Sequence, residues 1–482
     1  MRLCLLFLFV FLKQLAFAQE QLGLRIERYS GTGSILLNPV NSLQNPLRWD
    51  LNLVGIGAFA ATNYGFIRQN NIPNTLRTAE KATLVTQPPS GGPNGGPILD
   101  FYDTNQKKYA EGLAIIHGPA FSIRITDDIC VGAFYNVRVM GGAHGVTPAV
   151  NFQRINQRPY REYFEFPAAK FTGMAWSEFG LNYAQRIELD NGFLGIGATV
   201  KYNQGYEAMY AKTLNTISSS QFPSDTFSFV KPNAQFGFTN DNLTIKTPQI
   251  QRNGTGLGID IGVQYIIPDT EHDEYDHRLL VGAALIDLGQ INFNKNAEEH
   301  FVASDITYQP NGAEFKYVKT YQEALAVMSQ KALGDPKKSY VASRFTIGLP
   351  TALSLQFDYK IWTYNYVGAS FVQRLPLFKN SLERPNTLSA YYRFEHRWGS
   401  FMLPITWHNY KQIHVGAAIR LAYLTIGSDN ILGYWGKRDL TNGDFYMALK
   451  FNPFKLGLDF GNTSNKKGNG WFSRDKVKCP TF

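Results

Sequence analysis

From Thr255 toward Ile267 apolar positions alternate with small or polar ones until Ile266. Leu257, Ile259, Ile261, Val263, Tyr265 and Ile267 fall on one face, and Gly256, Gly258, Asp260, Gly262 and Gln264 on the other. A strict period of two marks a β-strand with one apolar and one wet face. The same alternation predicts strands over 48–59, 113–125, 129–139, 173–188, 193–204, 255–267 and 278–293. Seven more crowd the C-terminal half, at 340–349, 352–362, 366–374, 386–398, 400–408, 412–423 and 442–452, and Phe454–Phe460 is a possible further one. In the first strand Trp49, Leu51, Leu53 and Phe59 share a face opposite Arg48, Asp50 and Asn52. A helix is expected only at Tyr321–Leu333, where Leu325, Met328 and Ala332 keep helical spacing and Gly334 stops it.

Two architectures accept such strands. A soluble sandwich turns the apolar faces inward, and a membrane barrel turns them out to lipid. The wet faces carry charges in mid-strand, among them Arg344, Asp358, Arg393, Glu395 and Arg420. A hydrated lumen accommodates these and lipid does not. With the first strand running outward, the long connections at 62–110, 141–172, 207–253 and 294–339 fall on one side. The short ones at 126–128, 190–192, 268–277, 350–351 and 409–411 fall on the other, the pattern of outer loops and periplasmic turns. The rule weakens late in the chain: turns near Thr363–Asn365 and Gly399 are short outside, and 375–385 is long inside. Trp49, Tyr265, Phe293, Trp362, Tyr364, Tyr366, Trp398, Trp407, Tyr410 and Tyr423 gather at strand ends, as in interfacial girdles. The expected fold is therefore all-β, an antiparallel transmembrane β-barrel of about 14 strands (range 12–18) with long outer loops and one short helix in a loop.

Composition agrees with this. Charged residues are 18% and aromatics 14%, with 43 Gly, which suits many strands better than a helical enzyme. Met1-Arg2, the uncharged run Leu3–Leu12 and Ala16-Phe17-Ala18 make a secretory signal peptide over 1–18, too short to span a bilayer as a helix. The remaining domains are expected to be a periplasmic segment over 19–47, the barrel over 48–460 and a polar tail over 461–482. Cys130 and Cys479 do not make a disulfide framework, and Cys130 reads as a small packed residue. Basic residues are spread thinly, so nucleic acid is not an expected partner.

N-P-V-N-S-L leading into R-W-D-L-N-L, F-L-G-I-G-A-T-V-K-Y-N-Q-G-Y-E-A (193–208), V-G-A-A-L-I-D-L-G-Q-I-N-F (281–293) and L-P-T-A-L-S-L-Q-F-D-Y-K (349–360) carry a resemblance, with I-G-S-D-N (426–430) and G-D-F-Y-M-A-L-K (443–450). Together they resemble a Bacteroidota family of outer-membrane β-barrel proteins catalogued as a domain of unknown function. The resemblance implies an outer-membrane location, in a phylum that uses type IX secretion and gliding. It implies no activity, and no functional residue is carried over.

Candidate chemistry is sparse. The acidic turn with Asp269, Glu271, Asp273, Glu274 and Asp276 beside His272 and His277 misses the calcium-loop spacing and reads as a solvated turn. His117, His396, His408 and His414 lack an identifiable Ser partner and read as structural or lumen-lining. Gly195, Gly197, Gly256, Gly258 and Gly262 have no following helix, so close packing explains them better than a phosphate loop. No catalytic residue, metal ligand or cofactor is expected. The lumen-facing candidates are Asp260, Gln264, Arg344, Asp358, Arg393, Glu395 and Arg420. The expected function is non-enzymatic: a gated channel or transporter for a small or hydrophobic solute. The alternative is a barrel subunit that docks or assembles secretion, gliding or surface machinery. Outer-membrane lipid is the expected partner, with other envelope proteins.

Overall fold

The computed structural model describes residues 20–451 apart from 85–95, 103–106, 147–162, 223–225, 241–249, 270–274, 306, 310–311 and 316. The expected signal peptide, the possible strand Phe454–Phe460 and the expected tail lie outside the described residues.

Fourteen antiparallel strands close into a barrel. In chain order they are β1 (Trp49–Thr62), β2 (Lys108–Arg124), β3 (Ile129–Val146), β4 (Lys170–Leu189), β5 (Gly192–Thr213), β6 (Gly254–Pro268) and β7 (His277–Phe293). Then come β8 (Phe345–Gly348 and Ala352–Trp362), β9 (Asn365–Arg374), β10 (Thr387–His396), β11 (Gly399–His408), β12 (Gln412–Val415 and Ala417–Leu421), β13 (Leu424–Ser428) and β14 (Asn442–Phe451). Each pairs with its sequence neighbour, and β14 returns to β1, Leu51 opposite Phe451 and Ala61 opposite Asn442. Closure leaves the wall no free edge.

The expected strand number is right, but two of the expected strands are not. Residues 345–362 form one strand, because Gly348 opposite Gln290 and Ala352 opposite Ile286 lie on one register along β7. Pro350 cannot donate to the ladder. The Thr351 hydroxyl instead bonds the Asp287 carbonyl at 2.8 Å, and the Leu349 amide bonds the Gly289 carbonyl at 2.9 Å. The strand that replaces the lost one is β13, which falls in the connection expected between 412–423 and 442–452. With the parity corrected, the exception late in the chain disappears. The turns at 363–364, 397–398 and 422–423 join 125–128, 190–191 and 269–276 at one end. The segment 375–386 joins the long loops at the other.

Side chains alternate as the sequence pattern requires. On β6 Leu257, Ile261 and Val263 are exposed while Asp260, Gly262 and Gln264 are buried, and on β8 Leu355, Phe357 and Tyr359 oppose Ser354, Gln356 and Asp358. The exposed face is apolar around the wall, bounded by Trp362, Tyr364 and Trp398 at the turn end and Trp407 and Tyr410 at the loop end. Apolar-out, polar-in alternation with aromatic girdles is the face of a transmembrane barrel. Two girdle assignments fail, since Phe293 and Tyr366 are buried inside. Phe59 also faces in: the register shift between Asn52 and Val54 moves the alternation by one residue.

Beyond the loop end, β5 continues into pairing with Asn233–Thr239, which pairs with Ala297–Ala303. The helix Tyr321–Leu333 forms as expected, with a capping box from Thr320 and Glu323 and a left-handed Gly334. It packs Met328, Ala332 and Leu333 on Val302 and Phe236, so it caps the outer extension and plugs nothing. A second helix, Ile72–Thr78, has its Asn71 cap and Pro73 but no long apolar period to reveal it.

The opposite environments of neighbouring residues on β6 give a direct test. Ile261→Arg should cost about 2–4 kcal/mol if the residue sits at the bilayer midplane. The loss is measured as a lowered urea midpoint after refolding into lipid, and a loss well below that range would place Ile261 away from lipid.

Candidate functional site

The lumen is filled, and its main occupant is the segment expected in the periplasm. Nearly every residue from Glu20 to Asn45 is buried inside the barrel. Its short turns, Leu22–Arg25, Arg28–Leu36 and Pro39–Gln44, follow no amphipathic period, so the sequence pattern carried no sign of burial. The sign lay in the wall. Val40 rests on Gly195, and a Cβ on Gly197 would lie 3.0 Å from the backbone of Pro39 and Val40. A Cβ on Gly262 would clash with Asn38. These glycines let the plug backbone approach the wall.

Six of the seven lumen candidates are buried, and all six hold charge or amide contacts at or near the plug. Gln264 bonds Asn41 and accepts from Gln44 at 2.9 Å. Glu395 pairs with Arg28 of the plug at 2.9 Å and with Arg393 at 3.0 Å. Arg393 also grips Asp358, which takes His277 at 2.9 Å. Arg420 holds Glu27 at 3.0 Å. The acidic turn is only partly solvated: Asp276 is buried against Lys360 at 2.7 Å and Arg28 at 3.4 Å, while 270–274 lie outside the described residues. Arg344 is the exception. It lies exposed between Tyr340–Ala342 and β8, where the chain crosses from the outer extension to the wall, and does not face the lumen.

Above the plug lies a compact charged layer. Asp260 takes Lys201 at 2.6 Å. Asp287 takes Lys201 at 2.7 Å, both outer nitrogens of Arg138 at 3.0 Å and Arg384 at 3.3 Å, and Glu178 takes Arg138 at 3.1 Å. Asp287 was missed because strict alternation along β7 points it at lipid. A carboxylate there is itself a warning of irregular backbone, and Asp287 has φ +55°, which turns it inward.

The mouth beyond this layer is apolar. Met140, Met174, Trp176, Tyr210, Ile291, Phe293, Phe345 and Ile347 form one buried cluster, and Leu382 closes it from above. Leu382 belongs to 375–386, which folds inward as a lid. Glu383 clasps that lid to Lys170 at 2.6 Å and Arg374 at 3.1 Å, with His144 at 3.7 Å. A cavity of about 20 Å³ remains between plug and wall, beside Gln21, Arg25, Asn52, His117 and Lys450, room for one water. Among the described residues no group of His, Cys, Asp or Glu is placed to hold a metal ion.

Two expected outcomes follow from these contacts. Gly197→Val should dislodge the plug without opening the wall, giving raised conductance in planar bilayers with heat-modifiable migration retained; unchanged conductance would count against the packing role. Burial raises the Glu383 pKa, but the Lys170 bond and charge, with His144 and Arg374, outweigh it and hold the carboxyl below its ordinary 4.5. A depressed acid contributes stability above its unfolded value, lost as pH falls through the folded one. The lid should therefore loosen only below about pH 4.5, read as proteolysis within 375–386 across an acid titration.

Among solved structures, the chain is similar to the TodX deltaS2S3 mutant monoaromatic hydrocarbon channel, with 10% identity, 88% of this chain and 95% of that one covered, and a TM-score of 0.42. It is also similar to the Ralstonia pickettii toluene transporter TbuX, at 8% identity, 88% and 94% coverage and a TM-score of 0.31. A third is the translocator domain of the autotransporter NalP from Neisseria meningitidis, at 9% identity, 83% and 88% coverage and a TM-score of 0.27. No curated protein matches the sequence. One family model matches, over residues 44–429, which span the wall from just before β1 to just after β13, and the chain belongs to that family, described as Family of unknown function (DUF5723).

Proposed function

We propose that this protein is a gated, non-enzymatic conduit for small apolar solutes in the outer membrane, exported by its cleaved signal peptide. The apolar mouth carries this reading. Barrel interiors are ordinarily polar, because the inward face meets water. Here Met140, Met174, Trp176, Phe293 and Phe345 line the inward face instead, under a lid that seals them. A surface of this kind favours a ligand that leaves water. The plug beneath bars the path, held by charge pairs and amide bonds that can part and re-form without breaking the wall. Passage then requires the plug to shift.

A native thiol tests this. Cys130 faces the plug beside Val40 and Leu43, and its thiol meets the Ser42 hydroxyl. Ser42→Cys should form a disulfide with Cys130 on oxidation and pin the plug to β3. Uptake of a small aromatic solute into liposomes should proceed under reductant and stop under oxidant. Equal uptake in both states would remove the plug from the route. No uptake in either state would favour a non-conducting docking subunit.

A further inference from the structure

The floor of the apolar mouth has polar atoms with nothing to bond. Trp176 Nε1, both polar atoms of the Asn203 amide, and Nε and Nη1 of Arg384 have no partner among the described residues. Trp176 and Asn203 are fully buried and Arg384 nearly so. They lie in one neighbourhood. Asn203 is in register with Glu178, two residues along the same face from Trp176, and its amide lies beside Gly258 with Leu349 of the apolar cluster. The Arg138 guanidinium stacks over Trp176 at 5.1 Å and shares Asp287 with Arg384. Buried groups left unpaired each carry a desolvation penalty, so a cluster of them calls for a partner.

Resting on the conduit reading, we propose that this floor seats the hydroxyl of a neutral apolar solute, whose body replaces Leu382 in the mouth when the lid opens. The donor inventory selects the head group. Trp176 and Arg384 only donate, so the head must accept; Asn203 also offers an oxygen, so the head must donate too. A hydroxyl does both. A carboxylate donates nothing, and the layer has no charge to spare for it. Arg138, Lys201 and Arg384 are matched by Glu178, Asp260 and Asp287, so an added anion would be buried uncompensated. A plain hydrocarbon leaves the floor unsatisfied.

The test uses three molecules on one carbon skeleton: 2-phenylethanol, phenylacetate and ethylbenzene. Equilibrium dialysis against the full mature chain in lipid nanodiscs should show the alcohol binding about tenfold more tightly than either of the others. Asn203→Leu should remove that preference and leave ethylbenzene binding in place. Trp176→Phe, which keeps an apolar ring and deletes the donor, should reduce it, with heat-modifiable migration as the control for folding. Phenylacetate binding as tightly as the alcohol would overturn the proposal. So would equal binding of alcohol and hydrocarbon, the result if ordered water satisfies the floor, or a preference that survives both variants. If none of the three binds, the conduit reading itself fails.

Discussion

Burying a charge without a partner costs more than a barrel can spare, and that constraint organises the inside of this one. The layer of Arg138, Lys201 and Arg384 against Glu178, Asp260 and Asp287 draws its members from β3, β4, β5, β6, β7 and the lid. Each ion is tolerable only while the others hold their places. The layer therefore fixes the registers of five neighbouring strands at one height and ties the lid to the same point. The break in β8 at Pro350 lies beside the turned Asp287 of the neighbouring strand, whose carbonyl accepts from the Thr351 hydroxyl. Irregular wall and balanced charge are two aspects of one arrangement.

Below the layer the same logic holds with different partners. Plug residues Glu27 and Arg28 meet Arg420, Glu395 and Asp276 of the wall and its turn. Neutral and backbone partners add to these: the amides of Asn38 and Gln44 donate to Gln356 and Gln264, and the Arg124 guanidinium donates to the Leu43 carbonyl. The plug's helical turns are short, none longer than nine residues, so the wall holds it in place. An element whose order is supplied by its surroundings can leave one set of contacts for another at modest cost, which a helix with its own hydrogen bonds could not.

The wall was legible in the sequence because its physics has a period. Lipid on one side and a polar filling on the other write themselves as alternation, and Leu353 to Ile361 or Ile413 to Leu421 can be read directly. What defeats that reading is a single residue that changes parity. Pro350 looked like a turn between strands and was a gap within one, and the slip misplaced every later connection until β13 restored the count. Five charged candidates and Gln264 lie buried because a charge or amide in an apolar period has only one tolerable direction. The plug, the lid and Asp287 were not legible, since a segment whose environment is made by distant strands carries no local pattern. The glycines of β5 and β6 recorded the plug's presence without naming it.

The plug's position also bears on how the molecule comes to be folded. Residues 20–45 end enclosed by a wall whose closing seam joins Leu51 to Phe451, 400 positions apart. A contact so remote in sequence forms late, after the loop-closure entropy of everything between has been met. The seam encloses the plug, so a plug in place before closure need not be threaded through a finished wall.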